Sequence, residues 1–210
     1  LAGGIPKIVL LPEFAGDNEE EVGRRIREVV DKLKPLGLKM RVTENAFEAD
    51  KYRIMRRESF NLLRQKVKNK QTAPFIDDFI VKPEKLPEFF PELYKILDQY
   101  PSLVYTIAGH AGDGNFHIIP LMNLTDPKQR EIIPKLADQV FDLVTKYGGS
   151  ITAEHNDGLI RSPYLEKMFG REICGIFEEI KGIFDPQNIF NPGKKVHADL
   201  NYALAHIRAK

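Results

Sequence analysis

Two β-type runs, Leu103 to Ala108 and Phe116 to Leu121, flank the segment His110-Ala-Gly-Asp-Gly-Asn-Phe-His117. Histidines seven positions apart can share one face of a helix, but glycines at 109, 112 and 114 argue against any helix here. A hairpin with a wide, glycine-rich tip is the better geometry, and it places His110 and His117 on either side of that tip, able to aim at one ion. Downstream, Ser150 to Glu154 reads as a short strand that ends in a Glu154-His155 pair.

The elements around the hairpin follow from periodicity and punctuation. Ile8 to Leu11 reads as a buried strand. Asn18 caps a helix whose stripe is Val22, Ile26, Val29, Val30 and Leu33, closed by Pro35 and Gly37. Leu38, Met40 and Val42 alternate with Lys39, Arg41 and Thr43 as a half-buried strand should. A basic helix follows from about Phe47 to Lys68, with Arg53, Arg56, Arg57, Arg64, Lys66 and Lys68, then a strand near Phe75 to Val81. Leu86 to Leu97 marks a helix that contains Pro91. Asp126-Pro127 opens another, bent at Pro134 and buried through Ile132, Ile133, Leu136, Val140, Leu143 and Val144. Ile173 to Phe184 is the last strong helix, and a weak tail closes the chain. This order predicts an α+β fold, a ferredoxin-like sandwich with a mainly antiparallel sheet and helices on one face.

Composition narrows the class. With 31 Lys plus Arg against 30 Asp plus Glu, the formal charge is +1 and no basic face forms, which argues against nucleic acid as a partner. No apolar run is long enough to span a bilayer, and no signal peptide is evident. The single cysteine, Cys174, lies on the apolar stripe of Ile173, Ile176, Phe177 and Ile180, so it reads as a buried thiol, and an internal disulfide is excluded. Leu1 stands where an initiator methionine would, so a chain cut from a longer polypeptide is expected.

Two imidazoles and a carboxylate, His110, His117 and Glu154, make a two-histidine, one-carboxylate set for a divalent metal; Zn²⁺ fits best, with Mn²⁺ and Fe²⁺ as alternatives. Asp113 and Asn115 are placed to cap the tip or hold a ligand from behind. Adjacent side chains on a strand face opposite ways, so His155 need not bind the ion and is assigned as general base for a substrate hydroxyl. On the basic helix, the Arg56 and Arg57 guanidinium forks suit a carboxylate.

Three motifs then stand together: His110-Ala-Gly-Asp-Gly-Asn-Phe-His117, Ser150-Ile-Thr-Ala-Glu-His155 and Phe184-Asp-Pro-Gln-Asn-Ile-Phe-Asn-Pro-Gly-Lys194. As a set they resemble the C-terminal domain of FAD-linked oxidases, a family that includes D-lactate, glycolate and D-2-hydroxyglutarate dehydrogenases. The resemblance implies a substrate or cap domain over residues 1–195, with residues 196–210 as a C-terminal tail and an N-terminal FAD-binding domain elsewhere in the parent chain. It implies oxidation of a D-2-hydroxy acid to a 2-oxo acid, with FAD and a divalent metal as cofactors and an electron acceptor as partner. His110, His117 and Glu154 then hold the metal, His155 takes the proton, Arg56 grips the substrate carboxylate with Arg57 as alternate, and Asn191 contacts the flavin. Arg53 stands where a tryptophan is usual, and Asn156 where many relatives have glycine. A cytoplasmic location, peripheral to a membrane through the parent protein, is expected. A metal-dependent hydrolase and a non-catalytic ferredoxin-like binding module are the alternatives.

Overall fold

The computed structural model of the chain describes residues 8–67 and 69–208, with the side chains of residues 59–66 excepted. Pro6 and Lys7, the basic side chains of Arg64 and Lys66, and Lys68 therefore lie outside the described residues. The chain forms two compact units, divided between residues 66 and 67.

The first unit is helical. Helix α1 (Glu19–Leu33) starts where Asn18 accepts a hydrogen bond from the Glu21 amide, and three glutamates in its first turn complement the positive helix end. It ends in a short 3₁₀ turn with Gly37 in the left-handed region at its C-cap. Helix α2 (Ala46–Lys66) follows. Neither predicted strand forms: residues 8–11 and 38–43 carry no regular structure. A strand exists only where a neighbour completes its hydrogen-bond ladder, and no such neighbour lies beside these segments among the described residues. Their apolar side chains stay exposed, Ile8 to 74% and Val42 to 48%.

The second unit holds the sheet and the core. Its strands are β1 (Gln71–Thr72), β2 (Ile76–Ile80), β3 (Val104–His110) and β4 (Asn115–Met122). β3 pairs antiparallel with β4 along its whole length, while β1 and β2 lie end to end along the other edge of β4. Ser150 bridges antiparallel to Ile80, so the expected strand at 150–154 is reduced to one residue. Helix α3 (Leu86–Leu97) links β2 to β3, and α5 (Ile132–Lys146) links β4 to Ser150. The spatial order Ser150, β2, β4, β3 on a strand-helix-strand-strand-helix-strand path is the ferredoxin-like plan.

Two glycines allow the close approaches this requires. A Cβ on Gly114, which has φ +74°, would stand 1.8 Å from the Val81 carbonyl oxygen, and one on Gly149 would stand 2.3 Å from that of Ile80. The first contact packs the hairpin tip against the end of β2; the second permits the Ser150 bridge.

Alternation along β4 divides its side chains between two faces. Phe116, Ile118 and Met122 join Phe79 of β2, Phe89 and Leu93 of α3, and Leu136, Val140 and Val144 of α5 in the core. The rings of Phe79 and Phe89 are 5.5 Å apart, and Phe90 meets Phe116 edge-on at 4.9 Å. His117 points to the opposite face.

The expected bend at Pro134 is a break three residues earlier. Short α4 (Pro127–Arg130) is separated from α5 at Glu131, because Pro134 has no N–H for the Arg130 carbonyl and its ring crowds that position. After α6 (Gly158–Arg161), helix α7 (Leu165–Phe184) is interrupted at Gly170. Contrary to the expectation of burial, the stripe of Ile173, Ile176 and Ile180 is exposed, and Cys174 is half-buried. The stretch read as a weak tail contains α8 (Leu200–Ala205), capped by Asp199 and seated on the core through Leu200, Ala203 and Leu204.

Candidate active site

Strand β2 carries two carboxylates inside an apolar run, Phe75-Ile-Asp-Asp-Phe-Ile-Val. The ladder absorbs them with a bulge: the register shifts between Ile76 and Phe79, and Asp78 takes φ +68°. Asp78 is fully buried. Its carboxylate accepts hydrogen bonds from the amides of Ala153 (3.0 Å), Glu154 (3.1 Å) and His155 (2.8 Å), the Thr152 hydroxyl (3.2 Å) and the Asn115 side-chain amide (3.3 Å). Burial pushes this carboxyl upward, but the three amides and the Arg161 guanidinium outweigh it and hold it below the ordinary carboxylate value.

Asp78 thus gathers the backbone of 152–155 and turns its side chains. Glu154 Oε1 lies 3.1 Å from His110 Nε2 and 3.1 Å from His117 Nε2. His110 is the last residue of β3 and His117 the third of β4, so the hairpin presents both rings with centroids 5.7 Å apart. The other nitrogen of His117, Nδ1, meets Asp77 Oδ1 at 2.8 Å. His117 is held between two carboxylates, Asp77 at Nδ1 and Glu154 at Nε2; a hydrogen on Nδ1, donated to Asp77, leaves Nε2 as a lone pair facing the cluster.

His155 Nε2 stands 3.7 Å from Glu154 Oε1, and its ring is 5.3 Å from that of His117. Strand alternation implies that Glu154 and His155 diverge. They converge instead, because residues 151–155 are bent rather than extended. Asp78, His117, Glu154 and His155 each offer an atom within 4.8 Å of those of the others. Asp78 has already spent its oxygens on five donors, so its part is to organise the loop, and His110 joins through Glu154.

The donor set suits a divalent cation. Two imidazole nitrogens and a carboxylate oxygen are borderline-ion ligands, and Glu154 Oε1 stands from each of the two nitrogens at 3.1 Å, near the ~3.4 Å edge of a tetrahedron with ~2.1 Å bonds. Asp77 behind His117 supplies the outer carboxylate that metal-binding histidines use. His110 and Glu154 are exposed, which leaves room for a further ligand.

The remaining predicted residues are dispersed. Asn115 is buried and ties Asp78 to the Phe79 carbonyl, while the Asp113 amide closes the tip on the His110 carbonyl at 2.9 Å. Arg56 and Arg57 occupy exposed positions on α2 in the first unit. Arg53 is engaged by Glu13 and Asp50 at 3.0–3.1 Å. Asn191 lies in the loop after α7 with φ +49°, its carbonyl accepting from the Lys194 amide. The Cys174 thiol is pushed up by burial, away from reactivity. Sequence reasoning missed Asp77, Asp78 and Arg161. The paired carboxylates inside a strand were a usable signal for the first two, since buried charge in a strand demands a bulge or partners. Nothing local marked Arg161.

The ferredoxin-like sheet thus brings two imidazoles to one carboxylate, with a third imidazole beside them. The family model for FAD linked oxidases, C-terminal domain, matches residues 6–195, and the chain belongs to that family. It is 32% identical over 189 residues to a D-2-hydroxyglutarate dehydrogenase of Haemophilus influenzae, covering 87% of this chain. It is also similar to the glycolate oxidase subunit GlcD of Bacillus subtilis, 31% identical over 59% of this chain and 26% of the relative, and to a D-lactate dehydrogenase of Anaerostipes hadrus, 34% identical over 56% and 25%. The matched part of the chain spans only 18% of the length of the Haemophilus relative. No helix among the described residues is long and apolar enough to cross a membrane.

Proposed function

We propose that this chain is the substrate-side domain of an FAD-dependent dehydrogenase that converts a D-2-hydroxy acid to a 2-oxo acid. The supporting observation is the convergence of His110 and His117 on one oxygen of Glu154 with His155 beside them, in a family whose relatives act on D-2-hydroxyglutarate, glycolate and D-lactate by name. His110, His117 and Glu154 would hold a divalent ion, with Zn²⁺ the best match and Mn²⁺ and Fe²⁺ the alternatives; when bound, it supplies Lewis acidity toward the substrate hydroxyl. FAD, carried chiefly by a flavin-binding domain of the same parent chain with Asn191 reaching it from this side, supplies the acceptor for the hydrogen on the substrate carbon.

The chain's own residues do the rest. Arg56, or Arg57 beside it, pairs with the substrate carboxylate through a guanidinium fork. His155 takes the hydroxyl proton, so the bond to oxygen becomes a carbonyl as the carbon loses its hydrogen with two electrons. Asp77, accepting from Nδ1, would hold His117 in the tautomer whose Nε2 lone pair faces the ion. A separate electron acceptor would be the further partner of the parent protein.

The full chain with FAD should show loss of flavin absorbance on anaerobic addition of a D-2-hydroxy acid from a panel that includes D-2-hydroxyglutarate, D-lactate and glycolate. A flat flavin spectrum across the panel defeats the proposal, and ester or amide hydrolysis by flavin-free protein would favour a metal hydrolase. Metal content should fall from stoichiometric to background in the His110→Ala, His117→Ala double variant; unchanged content removes the ligand assignment.

A further inference from the structure

Arg161 ends the four-residue helix α6 and is 6% exposed, a guanidinium almost wholly withdrawn from water. Its Nη1 donates to the Asp77 carbonyl at 2.9 Å, and its Nε donates to the Asn156 carbonyl at 3.1 Å, with Nη2 bonded to the same oxygen. Nη2 also lies 3.8 Å from Asp78 Oδ2. One side chain therefore spans two segments, the β2 bulge that carries Asp77 and the loop residue directly after His155.

The grip falls at a conformational pivot. Asn156 has φ +61°, a left-handed backbone that residues with a Cβ seldom adopt unless held. Its own side chain accepts from the Asp157 amide at 2.8 Å, which suits asparagine there, and Arg161 fixes the carbonyl. On the other side of His155, Asp78 fixes the amide. The residue is thus clamped before and after its Cα, while Asp77, whose carbonyl shares the clamp, holds His117 through its carboxylate.

We propose that Arg161 is a positioning residue for proton transfer: its fork sets the separation of His155 from the His117–Glu154 cluster, over and above the charge it offers to Asp78. This rests on the dehydrogenase reading, because it assigns the residue held, His155, as the proton acceptor. A lysine at 161 keeps the charge near Asp78 but has no planar fork to grip two carbonyls at once. A misplacement of about 1 Å costs about 100-fold in rate.

The test compares wild type, Arg161→Lys and Arg161→Gln as full-length, flavin-loaded protein. It measures anaerobic flavin reduction, Zn²⁺ affinity by chelator competition, and amide hydrogen exchange over residues 153–157. Arg161→Lys should slow flavin reduction by about 10- to 100-fold, shift Zn²⁺ affinity by less than about 3-fold, since the fork meets none of the three ligand side chains, and speed exchange at His155 and Asn156. A wild-type rate in Arg161→Lys overturns the proposal, because charge alone then suffices; so does a loss of Zn²⁺ affinity in proportion to the loss of rate. Should Arg161→Lys not fold, Arg161→Gln is compared with Asp78→Asn, which removes the charge partner and leaves the fork: faster exchange at Asn156 in Arg161→Gln alone supports the proposal, and equal exchange in both overturns it. If wild type itself shows no flavin reduction, the dehydrogenase reading fails, and the exchange data still decide whether Arg161 holds the loop.

Discussion

Helices α1 and α5 are both fifteen residues long and both carry a continuous apolar stripe, yet α1 buries none of its residues while α5 buries Ile133, Leu136, Ala137, Val140, Phe141, Leu143 and Val144. Each stripe specifies a helix and a face. What differs is the neighbour: α5 lies beside α3 and over β2 in the second unit, whereas the strands expected at residues 8–11 and 38–43 in the first unit do not form. A local pattern therefore sets conformation, and burial comes only from a partner surface.

Substitutions that test this contrast differ in the size of effect expected. Phe79, fully buried between Phe89 and Phe116, should cost about 3–5 kcal/mol as Phe79→Ala in chemical denaturation. A cost below about 1 kcal/mol would mean that the sheet–helix interface is not the core. Next, Asp78→Asn should cost about 3 kcal/mol at neutral pH, since an amide cannot accept all the donors that face it.

That second effect has a defined pH dependence. The folded carboxyl of Asp78 lies below its unfolded value, so its contribution is complete above about pH 5, beyond the unfolded value of ~3.9, and is lost as pH falls through the folded value. The gap between wild type and Asp78→Asn should accordingly narrow in acid. A gap that widens there would show that the group is not held as the charged acceptor.

The direct comparison of the helices comes third. Val140→Ala should cost about 2 kcal/mol, from two lost methyl groups and the cavity they leave, and Val29→Ala, half-buried on α1, should stay within about 0.5 kcal/mol. Equal costs at the two positions would erase the distinction between the units. Smallest among the destabilising changes, Asn18→Ala should cost about 1 kcal/mol, seen as loss of helical signal from α1.

Much of the site was legible beforehand, and for a physical reason. His110 and His117 are set by a hairpin whose strands and tip lie within about twenty residues, and the N-caps at Asn18 and Asp126 act over three residues or fewer. The family motifs carried the pairing with Glu154. The short strand expected at 150–154 failed because a single bridge to Ile80 ends the ladder, after which Asp78 supplies the acceptors that a sheet neighbour would have provided. For that reason Glu154 and His155 face one centre.

From the chain of residues alone came what short-range hydrogen bonding and periodicity encode: the α+β class, the major helices, the hairpin and the histidines at its shoulders. Tertiary structure decided the rest. Asp78 bonds to amides 75–77 positions away, and Arg161 to a carbonyl 84 positions away. No local pattern determines such partners, because a buried charge is satisfied by whatever donors and acceptors the completed fold brings to it.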